Sequence, residues 1–185
     1  MNKINKTSKI LTGALMFALT LCLAKAQPSE PQGTITGRAW LDMGGTGLAD
    51  ITGNERFPDG FDVEVYLPYF EWNPSPDGDI FVPANNAYGD NYAAQIMGYF
   101  HPPASGDYTF WLSADDNADL WLSTDSDPAN KHVIAREAGW SNARNWDSVG
   151  GGSVVEDKTS ASFGATEWPS GNTITLQAGE AYYIE

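Results

Sequence analysis

From Gly33 onward the chain shows no sustained helical period. It is a succession of short β-type runs broken by Gly, Pro, Asn and Asp. This constrains the fold more than any other feature, because strands a few residues long gain stability only by lying side by side and burying one face. The runs are TITGRAW at Thr34–Trp40, DVEVYLPYF at Asp62–Phe70, the stretch from Tyr92 to Phe100, GDYTFWLSA, ADLWLST, KHVIARE at Lys131–Glu137 and NTITLQAGEAYYIE, with Ala178-Gly179-Glu180 as a turn. PSPDGD at Pro74–Asp79 is turn chemistry. Seven Trp, eight Tyr and eight Phe supply core material of the kind sheets favour. The reading is an all-β fold, an antiparallel sandwich or barrel. TGLADITGNERF is the one weak helical candidate. Asn142 to Ser170 carries little pattern and reads as an insertion or mobile loop.

The first 26 residues are of another kind. Lys3, Lys6 and Lys9 precede an apolar run from Leu11 to Leu23, and Ala24-Lys25-Ala26 follows. This is the layout of a secretory signal peptide cleaved after Ala26, and the run is short for a bilayer span. The domain reading is therefore signal peptide 1–26, flexible lead 27–32 and β domain 33–185, in a secreted or cell-surface protein. The chain's single cysteine, Cys22, lies inside the signal with Leu21 before it. A lipoprotein signal prefers a small residue there, so lipidation is disfavoured. The domain itself then has no disulfide.

The formal charge is −14. The signal carries four lysines and no carboxylate, so the remainder is four units more negative, about −18. Such a surface disfavours nucleic acid and anionic membrane, whose phosphates need clustered Lys and Arg. It suits divalent cations, or simple solubility. The apolar ending AYYIE reads as a strand that needs neighbours on both sides or a covered edge, which leads to the expectation that the sequence is truncated, with at least one strand, or a strand and further domains, missing after it.

SADDNADLWLS holds the sharpest signal. Read as a hairpin, Tyr108–Ala114 and Ala118–Thr124 would pair, setting Trp111 against Trp121, with Asp115, Asp116 and Asn117 at the tip. Two readings of the adjacent carboxylates stay open: a cation site, or a solvated turn of the kind Asp and Asn favour. DSDPAN at Asp125–Asn130 lacks the glycine and closing glutamate of an EF-hand and reads as a turn. Trp140, Trp146 and Trp168 are candidates for stacking on sugar rings; Trp168 is the better surface candidate and Trp140 the likelier core or hairpin residue. His101 and His132 neighbour no second histidine or cysteine, which disfavours zinc or histidine-based catalysis. Glu167 with some aspartate could form a glycosidase pair, as in any acid-rich chain.

HPPASGDYTFWLSADDNADLWLSTDSDPANKHVIA, His101 to Ala135, resembles the core of the protective-antigen-type domain family, named for the fourteen-kilodalton piece of anthrax protective antigen. GRAW at Gly37–Trp40, GWSNARNWD at Gly139–Asp147 and LQAGEAYYIE at Leu176–Glu185 resemble its opening strand and later elements. The resemblance spans roughly Gly33 to Glu185. It implies a sandwich or barrel of about a dozen strands, used as a module in secreted glycosidases, proteases, toxins and adhesins. In sugar-binding members the adjacent aspartates chelate calcium across a cis peptide bond, and two neighbouring sugar hydroxyls complete the ion's shell. Asp115 and Asp116 match that pair. A further Asn or Asp ligand comes from a loop late in the domain, which would follow Glu185. The resemblance thus implies a calcium-dependent glycan-binding module, non-catalytic in itself. The alternative is a structural or interaction module of the same fold without sugar binding; a small enzyme is the third class.

Overall fold

The computed structural model describes residues 33–72 and 91–185. The signal peptide, Cys22, the 27–32 lead and the turn at Pro74–Asp79 lie outside the described residues. Eight strands are present among the described residues: β1 Ile35–Leu41, β2 Val63–Leu67, β3 Tyr92–Phe100, β4 Gly106–Tyr108, β5 Ala118–Ser123, β6 Lys131–Glu137, β7 Ile174–Leu176 and β8 Tyr182–Ile184. One short helix, α1 Leu48–Thr52, forms inside the single segment with helical character. The all-β reading holds, with antiparallel pairing throughout.

Six strands make one sheet in the order β2-β1-β3-β8-β5-β6, and β4 pairs with β7 in a second. The core lies between them. Leu120 and Leu122 of β5 point inward at period two, and meet Ile174 and Leu176 of β7 and Ile184 of β8. Phe100, Tyr108 and Phe110 close one side with edge-to-face contacts, Phe100 lying 5.5 Å from each of the others. The β5–β6 register slips between Leu120 and Trp121, so that Leu120 faces Ala135 while Trp121 faces Val133. This bulge lets consecutive residues Ile134 and Ala135 both enter the core. β8 sits between β3 and β5, which accounts for the apolar composition of Tyr182–Ile184.

The hairpin expected around Asp115 and Asp116 is absent. Tyr108 pairs with Ile174, in the smaller sheet, whereas β5 pairs with β6 and β8. The residues after Tyr108 run beside the 158–160 segment: Leu112 N–H donates to Lys158 O at 2.8 Å and Ser160 N–H to Phe110 O at 2.9 Å. Trp111 bridges Thr159, not Trp121. The Asp115–Asn117 loop therefore carries the chain from one sheet to the other. Alternation marked both flanks as strand-like but could not say which partner each would take.

DSDPAN is a turn, as its composition indicates. Asp125 and Asp127 accept hydrogen bonds from Asp127 N–H and Ala129 N–H, at 2.8 and 2.9 Å. The pattern-poor stretch after Asn142 is mostly irregular, and contains a 3-10 turn at Val155–Lys158.

Candidate functional site

The Asp115–Asp116 peptide bond is cis. The Asp116 carboxyl lies close enough to act on that of Asp115 through its charge and a side-chain hydrogen bond. Asp115's pKa is raised, first by partial burial, then by the Asp116 charge and hydrogen bond, and then by Glu137. Tyr92 also titrates high, through burial first and with a contribution from the Asp115 charge. Negative charge has thus been gathered at one place, against the repulsion it creates.

The loop from Gly139 is tied to this pair through the backbone. Asp115 bridges Trp140, and Ser141 N–H donates to Ala114 O at 2.7 Å. Ser113 Oγ donates to Asn142 O at 2.9 Å and accepts from Asn145 N–H at 3.3 Å. On the other side Asn117 N–H donates to Thr46 O at 3.3 Å. With its amide nitrogen turned inward, Asn117 donates to Ala138 O at 2.6 Å and to Gly139 O at 3.3 Å. The aspartate loop is therefore held between Thr46 on one side and the 138–145 stretch on the other.

Behind them is a buried ion pair. Beyond the β6 bulge, Glu137 shares the inward face with Ala135. Glu137 and Lys158 are both 0% exposed, 3.5 Å apart. Lys158 Nζ donates to Asn145 O and, at 2.8 Å, to Ser148 O. Glu137 Oε1 accepts from Ser153 Oγ, while Oε2 has no hydrogen-bond partner. Ser153 Oγ in turn accepts from Gly139 N–H at 2.8 Å. The pair anchors both ends of the loop that carries Trp140.

The tryptophans exchange the roles expected of them. Trp168 is 8% exposed, sits in the core and meets His132 edge-on at 6.2 Å. It is not a surface residue and is removed as a sugar-stacking candidate. Trp140 is 41% exposed beside Asp115, and Trp146 is 47% exposed. Gly150 packs on Trp140 so closely that a Cβ there would lie 2.2 Å from the indole. Sequence reasoning missed Glu137, Lys158 and the placement of Trp140, because none of them belongs to a periodic pattern. His101 and His132 are not brought together into a metal site: among the described residues no group of three or more His, Cys, Asp or Glu side chains is placed to hold an ion. Two carboxylates are the acidic donors assembled here. Hard, charged oxygens on one side of an exposed loop fit a hard cation such as calcium, and leave most of its shell for other oxygens. No described helix is long and apolar enough to cross a membrane.

The sequence model of the PA14 domain matches residues 73–185. The chain belongs to the PA14 domain family. The match begins after β2, yet β1 pairs with β3 over six residues and joins the preceding segment to the family's sheet. Among curated proteins, the chain is 28% identical over 131 residues to fibrocystin of Canis lupus familiaris, covering 69% of this chain and 3% of that protein. It is 27% identical over 130 residues to fibrocystin of Mus musculus, covering 67% and 3%. A shorter stretch of 45 residues is 42% identical to the Mus musculus N-acetyl-beta-glucosaminyl-glycoprotein 4-beta-N-acetylgalactosaminyltransferase 1, covering 24% and 4%. The chain thus spans only a few per cent of the length of these relatives. No solved structure is a significant match. PA14 membership supports a carbohydrate-binding or interaction module.

Proposed function

We propose that this PA14 domain is a secreted, non-catalytic carbohydrate-binding module that works through calcium held by Asp115 and Asp116. The observation that carries the reading is the meeting of two carboxylates on an exposed loop, with Asp115's proton affinity raised by burial and its neighbour's charge. A divalent ion between them would turn that repulsion into attraction. When bound, calcium supplies open coordination positions that two neighbouring sugar hydroxyls can fill. This chain's own residues do the rest. Asp115 and Asp116 supply anionic oxygens, the Asn117 and Ser141 hydrogen bonds fix the loop, and Trp140 offers an exposed aromatic face beside it. The lysine-flanked apolar run ending at Ala26 supports export, so the mature protein would begin at Gln27.

The test is saccharide binding in calcium and in chelator, for the wild type and for Asp116→Ala. The reading expects binding that needs calcium and is lost in the variant. Binding that persists in chelator, or in Asp116→Ala, removes the clamp. A second reading, an interaction module that binds no sugar, is favoured by the lack of a third acidic or histidine ligand among the described residues. It expects no change in thermal stability at millimolar calcium.

A further inference from the structure

One residue along the chain from the aspartates, a cleft of about 410 Å³ opens in the surface, a size within the range of small-molecule sites. One wall is Gly47 to Ala49, where α1 begins; the other is Asn117, Asp119, Arg136 and Glu137. We propose that this cleft is a second saccharide subsite, so that the ligand is an uncharged oligosaccharide of at least two units rather than a single terminal sugar. The proposal rests on the carbohydrate-binding reading above.

The polar wall is built in advance. Asp119, whose side chain is 4% exposed, takes Arg136 in a two-point fork at 2.5 and 2.6 Å. That holds the guanidinium plane still while three of its five N–H donors remain for a ligand. Asn117 spends both amide hydrogens on Ala138 O and Gly139 O, which leaves its carbonyl oxygen as an acceptor. Leu48 and Ala49 supply an apolar edge opposite. Fixed donors and acceptors on one side and carbon on the other suit a pyranose ring, which carries hydroxyls at its rim and C–H groups on its faces. Preorganisation limits the ordering cost of binding.

Charge argues for a neutral ligand. Asp115, Asp116, Asp119 and Glu137 face Arg136 and Lys158 across this end of the molecule. Asp50, which accepts from Gly47 N–H in the opposite wall, and Asp157 and Glu167, whose charges act on Arg136, add to the negative excess. An acidic sugar would find no spare cation.

Ala49 is exposed, and a large side chain there would fill the cleft without touching Asp115 or Asp116. The test measures, by calorimetry, binding of galactose, mannose and N-acetylglucosamine, each as the monosaccharide and as its trisaccharide. The proteins are the wild type, Ala49→Trp and the milder Ala49→Gln, each first shown to melt cooperatively. At least one trisaccharide should bind the wild type about tenfold more tightly than its monosaccharide, a gain of about 1.4 kcal/mol. Ala49→Trp should cancel that gain and leave monosaccharide affinity unchanged. A trisaccharide advantage that survives both variants, or is missing from the wild type, overturns the subsite while the clamp stands. Trisaccharide binding that persists in chelator but disappears in Ala49→Trp keeps the cleft and rejects the clamp. No saccharide bound under either condition rejects both.

Discussion

Between the two sheets, Leu120, Leu122, Ile134, Ile174 and Leu176 are buried by neighbours on several strands, and no single contact decides their position. Between Gly139 and Ser160 a stretch with no strand is also anchored in the interior, yet it is held by point contacts: Lys158 to Glu137 and two carbonyls, Ser153 to Glu137 and Gly139, Ser141 to Ala114. The first region is held collectively, because dispersion and burial are summed over many atoms, and its losses scale with the volume removed. The second is brittle, because a buried charge that loses its partner keeps its full desolvation cost. The candidate site stands on the brittle region.

The largest expected effect tests the collectively packed side. Trp168→Ala should lose about 3–5 kcal/mol in denaturant unfolding, as large-to-small changes in packed cores do. A loss under about 1 kcal/mol would place Trp168 outside the core. The brittle side is tested next. Lys158→Met should lose about 3 kcal/mol by leaving Glu137 charged and alone, and Lys158→Met with Glu137→Leu should regain most of it. If the double variant is as unstable as the single, the loop does not depend on the pair, and the contrast between regions fails. The smallest effect sharpens the link to the site. Gly150→Ala should cost about 1–3 kcal/mol, because its methyl group would occupy the place of the Trp140 indole. Trp140 should shift its emission, and saccharide affinity should fall. Unchanged emission would separate Trp140 from the Gly150 contact.

These regions also differ in how far sequence alone revealed them. β3 and β6 lie where alternation and flanking turns put them, at Tyr92–Phe100 and Lys131–Glu137. Pairing was less legible. Adjacent runs of opposite direction usually pair, but Tyr108 joins β7 and Ala118 joins β6, because period two records which faces are buried and not which strand lies alongside. The exchange of Trp168 and Trp140 has the same origin. In a stretch without periodicity, nothing separates an indole that fills a core from one that lies on the surface. Lys158 is the extreme case: a lysine among polar residues reads as solvated until Glu137 is seen beneath it. The aspartate pair was legible because the ordered motif from His101 to Ala135 around it resembles a known family; the adjacent carboxylates alone left a cation site and a solvated turn both open.

The central claim is that Asp115 and Asp116 together hold a calcium ion. A crystal of the domain grown in millimolar calcium, with anomalous data collected, tests it most directly. The account predicts an anomalous peak bridging the two carboxylates at about 2.3–2.6 Å from their oxygens, absent from crystals of Asp116→Ala. Water alone between the two side chains in the wild type would contradict it.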